Sequence, residues 1–294
     1  MGEQGLAATL RQVRSRLAAA GIPNAEIDAR LLVEHFSGAT QTDLIVAPER
    51  TLSPDVIDAI EAAVARRLSR EPVHRILGFR EFYGLELALS QETLEPRPDT
   101  EILVDAVLPF VRQVVENKGI CSILDLGTGS GAIALALLKQ VPEAVATGVD
   151  VSPQALEVAR QNAARHGLSD RFYVRSGSWF EAVEGQFDVI VSNPPYIRSE
   201  VVPQLDPEVR NFDPIKALDG GPDGLEAYRA IAHGVLAHFQ LEGVVAVEIG
   251  YDQADQVEEI FANKGFFLLQ KHSDLAKYDR ILVFKRAESE VLRA

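Results

Sequence analysis

The 294-residue sequence predicts an α/β fold, in which a seven-stranded, doubly wound sheet follows a small helical bundle and a β-hairpin linker. Three observations lead to this prediction. Apolar residues in roughly the first 70 positions recur every three or four residues, as in amphipathic helices. From Ser122 onward, short β-branched segments alternate with helical segments, which is typical of doubly wound sheets. A glycine-rich loop, Gly127–Gly131, follows the first of these strands.

The first predicted domain covers residues 1–75. Two helices are expected between residue 3 and about residue 37, separated by Gly21–Asn24, with Asn24 as the N-cap of the second. After the short apolar segment Leu44–Val46, Ser53-Pro54-Asp55 predicts an N-cap, a proline at the first helical position and an acidic first turn. These features indicate a small helical bundle.

Residues 76–95 are predicted to form a hairpin linker that turns near Gly84, and residues 96–294 the third region. Pro96–Glu101 is predicted to begin a helix. Asp99 and Glu101 would stabilise it, because acidic side chains interact favourably with the positive N-terminal end of the helix dipole. The strands are then expected at Ile123–Leu126, Ala146–Asp150, Phe172–Arg175, Phe187–Ser192, Val244–Ile249, Phe266–Gln270 and Ile281–Lys285. Helices are expected near Ala132–Gln140, Pro153–His166, Gly224–Phe239 and Gln253–Asn263. Because no helical pattern separates the last two strands, they should pair antiparallel.

Composition restricts the possible functions. Cys121 is the only cysteine, so the sequence offers no intramolecular disulfide and no cysteine cluster for zinc, and a reducing cytoplasm is expected. No basic leader or membrane-spanning run is present, so membrane insertion is not expected. The formal charge is −14, and residues 91–294 hold 19 Lys+Arg against 31 Asp+Glu. This balance argues against broad binding to nucleic acid phosphates.

The loop Gly127-Thr128-Gly129-Ser130-Gly131 predicts a cofactor site, because glycines let a ligand approach the backbone at the start of a helix. The pattern alone also fits a dinucleotide fingerprint. Asp150 ends the second strand, 19 residues after Gly131, where its carboxylate can accept the ribose hydroxyls of an adenosine or cap the next helix. Asp125 either holds a cofactor ammonium or braces the loop.

Trp179 follows the third strand, where the adenine ring of a bound adenosine is expected. Its side chain either packs against that ring or belongs to the core. Asn193-Pro194-Pro195-Tyr196 ends the fourth strand. The Asn193 side-chain oxygen and the Pro194 carbonyl can accept the two hydrogens of a planar amino or amide group, while the Tyr196 ring covers its face. The alternative is an ordinary turn that ends a strand.

Taken together, the loop, Asp150 and the Asn193 tetrapeptide resemble the motifs of S-adenosylmethionine-dependent amino-methyltransferases, whose sheet also ends in an antiparallel pair. The sequence is most similar to the family that methylates the glutamine side-chain amide in peptide-chain release factors. The matching motifs are Pro96–Glu101, Asp125–Gly131, Trp179-Phe180 and Asn193–Tyr196. Departures are Ser178, where an acidic residue is common, and His74 and Tyr83 in place of linker aromatics.

This resemblance implies methyl transfer from S-adenosylmethionine to N5 of the glutamine in the Gly-Gly-Gln motif of release factors. Gly127–Gly131, Asp150, Trp179 and Asn193 would bind the cofactor, and Asn193–Tyr196 would hold the substrate amide. No general base is required, because the proton becomes acidic as the methyl group arrives, and His166, His233 and His238 are interpreted as surface or packing residues. The helical domain is expected to dock the release factor, or alternatively only to stabilise the chain.

Three other functions remain open. A DNA adenine-N6 methyltransferase could grip a flipped base with the same tetrapeptide, but the N-terminal region is slightly acidic, with 10 Lys+Arg against 12 Asp+Glu in residues 1–90. A nicotinamide-dependent oxidoreductase would use the glycine loop and Asp150 and leave Asn193 without a role. The third is a non-catalytic scaffold that binds the cofactor only as structure, which accumulation of S-adenosylhomocysteine with a protein substrate would exclude.

Overall fold

The computed structural model describes residues 4–287, so residues 1–3 and 288–294, which belong to the first and third predicted regions, lie outside the described residues. The chain forms two compact units. We call them the helical unit, which runs to Phe79 and also contains Pro207–Phe212, and the sheet unit, which comprises Arg80–Asp206 and the chain from Asp213.

The helical unit contains the expected bundle. Its elements are β1 (Gln4–Gly5), α1 (Leu6–Ala19), α2 (Ala25–Ser37), α3 (Gln41–Val46), β2 (Thr51–Leu52), α4 (Pro54–Leu68) and α5 (Val73–Leu77). Asn24 and Ser53 occupy the predicted N-cap positions, but neither side chain makes a capping hydrogen bond. The apolar segment Leu44–Val46 lies within α3. A capping box formed by Thr40 and Asp43 marks the N-terminus of this helix.

An ion pair of the buried Arg67 side chain with the partly buried Glu208 joins the segment Pro207–Phe212 to the rest of the helical unit. Arg67 donates from Nε to Asp28 Oδ2 at 2.6 Å and from Nη2 to Glu208 Oε1 at 2.9 Å. Arg67 and Asp28 are both buried, and burial is the main cause that raises the pKa of Asp28. This unit therefore depends on residues that follow the Asn193 tetrapeptide in the chain.

The predicted hairpin consists of β3 (Phe79–Phe82) and β4 (Leu85–Ala88). Tyr83 and Gly84 form its turn with φ of +50° and +73°, the left-handed values that a two-residue turn requires. The next helix is α6 (Glu101–Lys118), after a 3₁₀ turn at Pro98–Thr100. Glu101 Oε1 accepts a hydrogen bond from the Tyr83 backbone N–H at 2.8 Å.

The seven-stranded sheet has the predicted strands with modest changes in length. They are β5 (Cys121–Leu126), β6 (Ala144–Asp150), β7 (Phe172–Ser176), β8 (Phe187–Ser192), β9 (Phe239–Glu248), β10 (Phe266–Ser273) and β11 (Asp279–Arg286). The order across the sheet is β10-β11-β9-β8-β5-β6-β7. The expected antiparallel pairing of β10 with β11 is confirmed, and β11 also runs antiparallel to β9.

The helices that connect the strands are α7 (Ala132–Gln140), α8 (Pro153–Arg165), α9 (Pro207–Arg210, in the helical unit), α10 (Glu226–Gly234) and α11 (Ala254–Ala262). The prediction for α10 was too long. The chain leaves the α-helix at Gly234, passes through a 3₁₀ turn and enters β9 at Phe239, whose ring packs edge-on against Phe266 at 5.1 Å.

The central strands are buried on both faces, as their continuous apolar sequence predicts. One core cluster centres on α6 and α7, and a second on α10 and α11, so helices cover both faces of the sheet. The chain runs from β5 outward to β7 and returns to β8 on the other side of β5. This reversal creates the crevice at the carboxyl ends of the strands where doubly wound sheets bind ligands. Among the described residues, no helix is long and apolar enough to cross a bilayer.

Candidate active site

A cavity of about 600 Å³ lies in this crevice, at the carboxyl ends of β5, β6, β7 and β8. Its volume is in the range of sites that enclose a cofactor-sized molecule. The predicted residues that line it are Gly127, Thr128, Gly129, Ser130, Asp150, Trp179, Asn193 and Pro195. Gly131, Pro194 and Tyr196 lie beside these in sequence but are not among the lining residues.

The glycine loop owes its shape to positive φ angles and to bonds with the neighbouring strand. Gly127, Gly129 and Gly131 have φ of +72°, +54° and +84°, which residues with a Cβ rarely adopt. The Gly127 and Thr128 N–H groups donate to the Val149 carbonyl at 2.8 and 2.9 Å. Gly131 is the N-cap of α7. The loop therefore turns sharply between β5 and α7 and presents backbone to the cavity.

Asp125 lies beneath this loop, is fully buried and does not line the cavity. Its Oδ2 accepts from Thr128 Oγ1 at 2.7 Å and from the Ala134 N–H at 3.3 Å. Its Oδ1 has no hydrogen-bond partner among the described residues. Burial raises its pKa to about 7. Of its two expected roles, this geometry supports bracing the loop.

Asp150 lines the cavity at the end of β6. Its Oδ2 accepts from the Gly129 N–H and its Oδ1 from the Ser152 N–H, both at 2.9 Å. Burial raises its pKa, while these backbone hydrogen bonds oppose that effect. Ser152 caps α8 itself by accepting from the Ala155 N–H at 3.2 Å. Since each carboxylate oxygen has a further lone pair, Asp150 can still accept two ligand hydroxyls.

The segment after β7 forms the far wall of the cavity. Gly177, Ser178 and Trp179 all line it, and Trp179 also packs against a core cluster of the sheet unit, so the two expected roles are compatible. Trp179 has φ of +51°, an uncommon value for a large side chain that is often associated with function. The Ser178 N–H donates to Glu181 Oε2 at 3.0 Å, which places a carboxylate beside the serine.

The Asn193 side chain is held by Thr100, which also lines the cavity. Its Nδ2 donates to Thr100 Oγ1 at 3.0 Å, and Thr100 belongs to the Pro96–Glu101 motif. Ser192, one residue earlier, donates from Oγ to the Leu126 carbonyl at 2.7 Å and thereby joins β8 to the end of β5. Because Thr100 accepts from Nδ2, Oδ1 is the atom of this amide that can accept from a ligand.

The backbone after Asn193 is fixed by residues far along the chain. Gln253 is buried and donates from Nε2 to the carbonyls of Tyr196 and Gly224 at 3.0 and 3.1 Å. A Cβ on Gly220 would lie 2.7 Å from the Pro195 carbonyl oxygen, so this close approach requires glycine. The Tyr196 ring packs against the core cluster that contains Tyr228, and burial raises the Tyr196 pKa to about 12. Its covering of the substrate amide stays a prediction.

Sequence reasoning missed Glu248 and Gln253, which lie at and just after the end of β9. Glu248 Oε2 accepts from Thr100 Oγ1 at 2.6 Å, and its side chain is buried. The available signal was an acidic residue at the carboxyl end of an apolar strand, next to the strand that carries Asn193. No group of three or more acidic, histidine or cysteine residues suited to hold a metal occurs in residues 4–287.

Two family models match this chain. The PrmC N-terminal domain matches residues 8–78, and the methyltransferase small domain matches residues 104–205.

The sequence relatives extend over almost the whole chain. The release factor glutamine methyltransferase of Agrobacterium fabrum is 52% identical over 285 residues, which cover 97% of this chain and 99% of the relative. That of Caulobacter vibrioides is 43% identical over 271 residues and 92% of each chain.

Solved structures support the fold alone. A methyltransferase from Pyrococcus furiosus has a TM-score of 0.53 and 20% identity over 76% of this chain and 98% of its own. The hMettl16 catalytic domain bound to MAT2A 3'UTR hairpin 1 has a TM-score of 0.57 and 15% identity over 88% and 90%. Both agree with the seven-stranded, doubly wound sheet predicted above. With relatives of this identity and coverage, the chain belongs to the release factor glutamine methyltransferase family.

Proposed function

We propose that this chain transfers a methyl group from S-adenosylmethionine to N5 of the glutamine in the Gly-Gly-Gln motif of peptide-chain release factors. The observation that carries the proposal is the Asn193 side chain, whose Nδ2 is held by Thr100 and whose Oδ1 is left to accept a ligand N–H. Asn193 lines the same cavity as the glycine loop and Asp150. The names of the relatives support glutamine as the acceptor.

The residues of the cavity fit S-adenosylmethionine. Asp150 has lone pairs left for two ribose hydroxyls, and Gly129 and Ser130 present backbone at the start of α7. Trp179 offers an apolar face, and Ser178 a hydroxyl, for an adenine ring. The bound cofactor would supply the methyl group on an electrophilic sulfonium.

The protein has to orient a poor nucleophile, because the lone pair of an amide nitrogen is delocalised into its carbonyl. Asn193 Oδ1 and the Pro194 carbonyl accept the two N–H bonds of the glutamine and thereby aim the nitrogen at the methyl group. Both acceptors also stabilise the positive charge that grows on nitrogen, so they bind the transition state more strongly than the ground state. Tyr196 stays neutral at physiological pH, since its pKa is about 12, and no base is assigned.

Recognition of the whole release factor is assigned to the helical unit. A cavity that accepts one amide cannot select a single glutamine among many proteins, so a second contact surface is needed. The helical unit exposes Ile27, Ile45 and Val46 by 52%, 76% and 70%. Ile45 and Val46 are neighbours in α3, and adjacent exposed apolar residues are what a protein contact surface requires, so α3 is the segment assigned to docking. We place the reaction in the cytoplasm, where a reduced thiol such as Cys121 is maintained.

The docking role predicts a difference between two substrates. Ile45→Glu combined with Val46→Glu should raise KM for a whole release factor and leave KM for a short Gly-Gly-Gln peptide unchanged. Leu241→Glu is the matched control, because Leu241 is 56% exposed but belongs to the sheet unit. Deletion of the helical bundle is a poorer test, since it removes the partners of Glu208. A KM for the whole release factor that stays at the wild-type value in the double variant would refute docking through α3.

The activity itself is tested by transfer of labelled methyl from S-adenosylmethionine to a release factor, with duplex DNA as the competing substrate. Label on the release factor alone supports the proposal. Label on DNA alone would favour an adenine methyltransferase. Binding of NADH without binding of S-adenosylmethionine, measured by calorimetry, would favour an oxidoreductase.

A further inference from the structure

Glu248 is a buried carboxylate that the proposed chemistry does not use. It ends β9, is only 2% exposed and does not line the cavity. Burial of a carboxylate costs folding free energy, and hydrophobic residues of similar size would avoid that cost. Packing alone therefore does not explain a carboxylate at this position.

The hydrogen bonds of Glu248 lead to Asn193. Thr100 Oγ1 donates to Glu248 Oε2 at 2.6 Å and accepts from Asn193 Nδ2 at 3.0 Å. Burial is the main influence on the pKa of Glu248, and the Thr100 and Asn193 side chains both oppose it, which agrees with this arrangement. Thr100 occupies the N-cap position of α6, but its side chain makes no capping hydrogen bond. Its hydroxyl instead bonds to Glu248 and Asn193.

The direction of these hydrogen bonds follows from the chemistry of the groups. An ionised carboxylate only accepts, and a hydroxyl has one hydrogen, so Thr100 must give that hydrogen to Glu248. The Thr100 oxygen can then only accept from Asn193, which requires Nδ2, rather than Oδ1, on this side. The two ends of an asparagine amide have nearly the same shape, so packing alone does not choose between them.

We propose that Glu248, acting through Thr100, fixes the orientation of the Asn193 amide so that Oδ1 faces the substrate nitrogen. Glu248 is thus a positioning residue for methyl transfer, and this inference rests on the proposed function. If Glu248 is neutral, Thr100 is free to donate to Asn193 Oδ1. The Asn193 Nδ2 group then faces the N–H groups of the substrate amide. Because both sides are hydrogen-bond donors, no hydrogen bond forms there.

The charged and titratable groups around Glu248 come from several elements. Arg280 on β11 favours the ionised carboxylate, and Asp99 near the start of α6 opposes it. Tyr196 and Tyr228 have raised pKa values and stay neutral, and Tyr228 donates its hydroxyl to the Glu248 backbone carbonyl at 2.9 Å. Burial is the largest influence and raises the Glu248 pKa to about 7. The orientation is therefore set above about pH 7, where Glu248 is ionised, and is released as the pH falls below that value.

The test compares Glu248→Gln with Glu242→Gln, a substitution of an exposed carboxylate on the same strand. For a Gly-Gly-Gln peptide at pH 8, Glu248→Gln should lower kcat by about tenfold or more, as misorientation of a reacting group does. Its KM and its affinity for S-adenosylmethionine should change little. The wild-type kcat should fall as the pH drops below 7. This fall should be absent from the pH profile of Glu248→Gln. Glu242→Gln should match the wild type throughout.

A second pair of variants tests the role of the hydroxyl. Thr100→Ser keeps the hydroxyl and should retain most of kcat, whereas Thr100→Val removes it and should lose about as much as Glu248→Gln. The effects of Thr100→Val and Glu248→Gln should combine less than additively. This pair also decides the matter if Glu248→Gln does not fold.

Unchanged kcat and an unchanged acid limb in a folded Glu248→Gln protein would overturn the inference, because the limb would then belong to another group such as Asp125. Equal activity of Thr100→Val and Thr100→Ser would overturn it as well. Failure of the wild type to methylate the peptide or a release factor would instead overturn the proposed function.

Discussion

Two buried carboxylates lie beneath the two halves of the site, and they are held in different ways. Asp125 supports the glycine loop through Thr128 and Ala134, which are three and nine residues away in the chain. Glu248 supports Asn193 through Thr100, which is 148 residues away from it. Burial raises the pKa of both to about 7. The half assigned to the cofactor is therefore built by local sequence, and the half assigned to the amide by tertiary structure.

Substitutions in the two halves should therefore change different measured quantities. Changes near the glycine loop should affect cofactor binding, and changes behind Asn193 should affect turnover, because the two supports share no hydrogen bond among the described residues. A variant that altered both quantities equally would show that the two halves are coupled.

The largest effect is expected for Asn193→Ala, which removes an acceptor aimed at the nucleophile. Turnover should fall by roughly 10²- to 10³-fold, the usual cost of losing one such transition-state contact. The affinity for S-adenosylmethionine, measured by calorimetry, should stay nearly unchanged. Asn263→Ala, at an exposed position after α11, is the control. An equal loss of cofactor affinity would assign Asn193 to the cofactor pocket instead.

The buried carboxylates predict a pH dependence of stability. For Glu248, the folded pKa of about 7 exceeds the ordinary value of 4.5, so the folded protein holds the proton more strongly than the unfolded chain. The free energy of unfolding should therefore decrease as the pH rises from about 4.5 through 7, by an amount on the order of 3 kcal/mol. Glu248→Gln should remove this part of the decrease in urea unfolding between pH 5 and pH 8. Identical pH dependence in wild type and variant would contradict the raised pKa.

Asp150→Ala should mainly weaken cofactor binding. Two ribose hydroxyls would lose their acceptor, which costs roughly 1–3 kcal/mol, or about 5- to 150-fold in Kd. Asp170→Ala, an exposed carboxylate before β7, is the matched control. An unchanged Kd would exclude Asp150 from the ribose site.

The smallest effect is expected at Ser178, which lines the cavity next to Trp179. Ser178→Asp offers a stronger acceptor to an adenine amino group and should tighten cofactor binding by roughly 0.5–1.5 kcal/mol, the value of one hydrogen bond. Calorimetry with Ser178→Ala as control checks this. Weaker binding in Ser178→Asp would indicate that the nearby Glu181 already supplies that acceptor.

The same contrast explains what could be predicted from the sequence. The glycine loop, Asp150 and the strand that carries Asn193 follow from short-range patterns, and the structure brings these residues to one cavity. The roles of Thr100, Glu248 and Gln253 depend on contacts between distant segments, which periodicity does not report. The assignment of Pro207–Phe212 to the helical unit was missed for the same reason, because it rests on contacts between distant segments, among them the ion pair of Arg67 with Glu208.

The most direct test of the central claim is mass spectrometry of a release factor after incubation with S-adenosylmethionine and either the wild-type protein or Asn193→Ala. The account predicts one added methyl group, located on the side-chain nitrogen of the Gly-Gly-Gln glutamine with the wild type and nearly absent with the variant. Methylation at another residue, or equal methylation of the glutamine by both proteins, would contradict it.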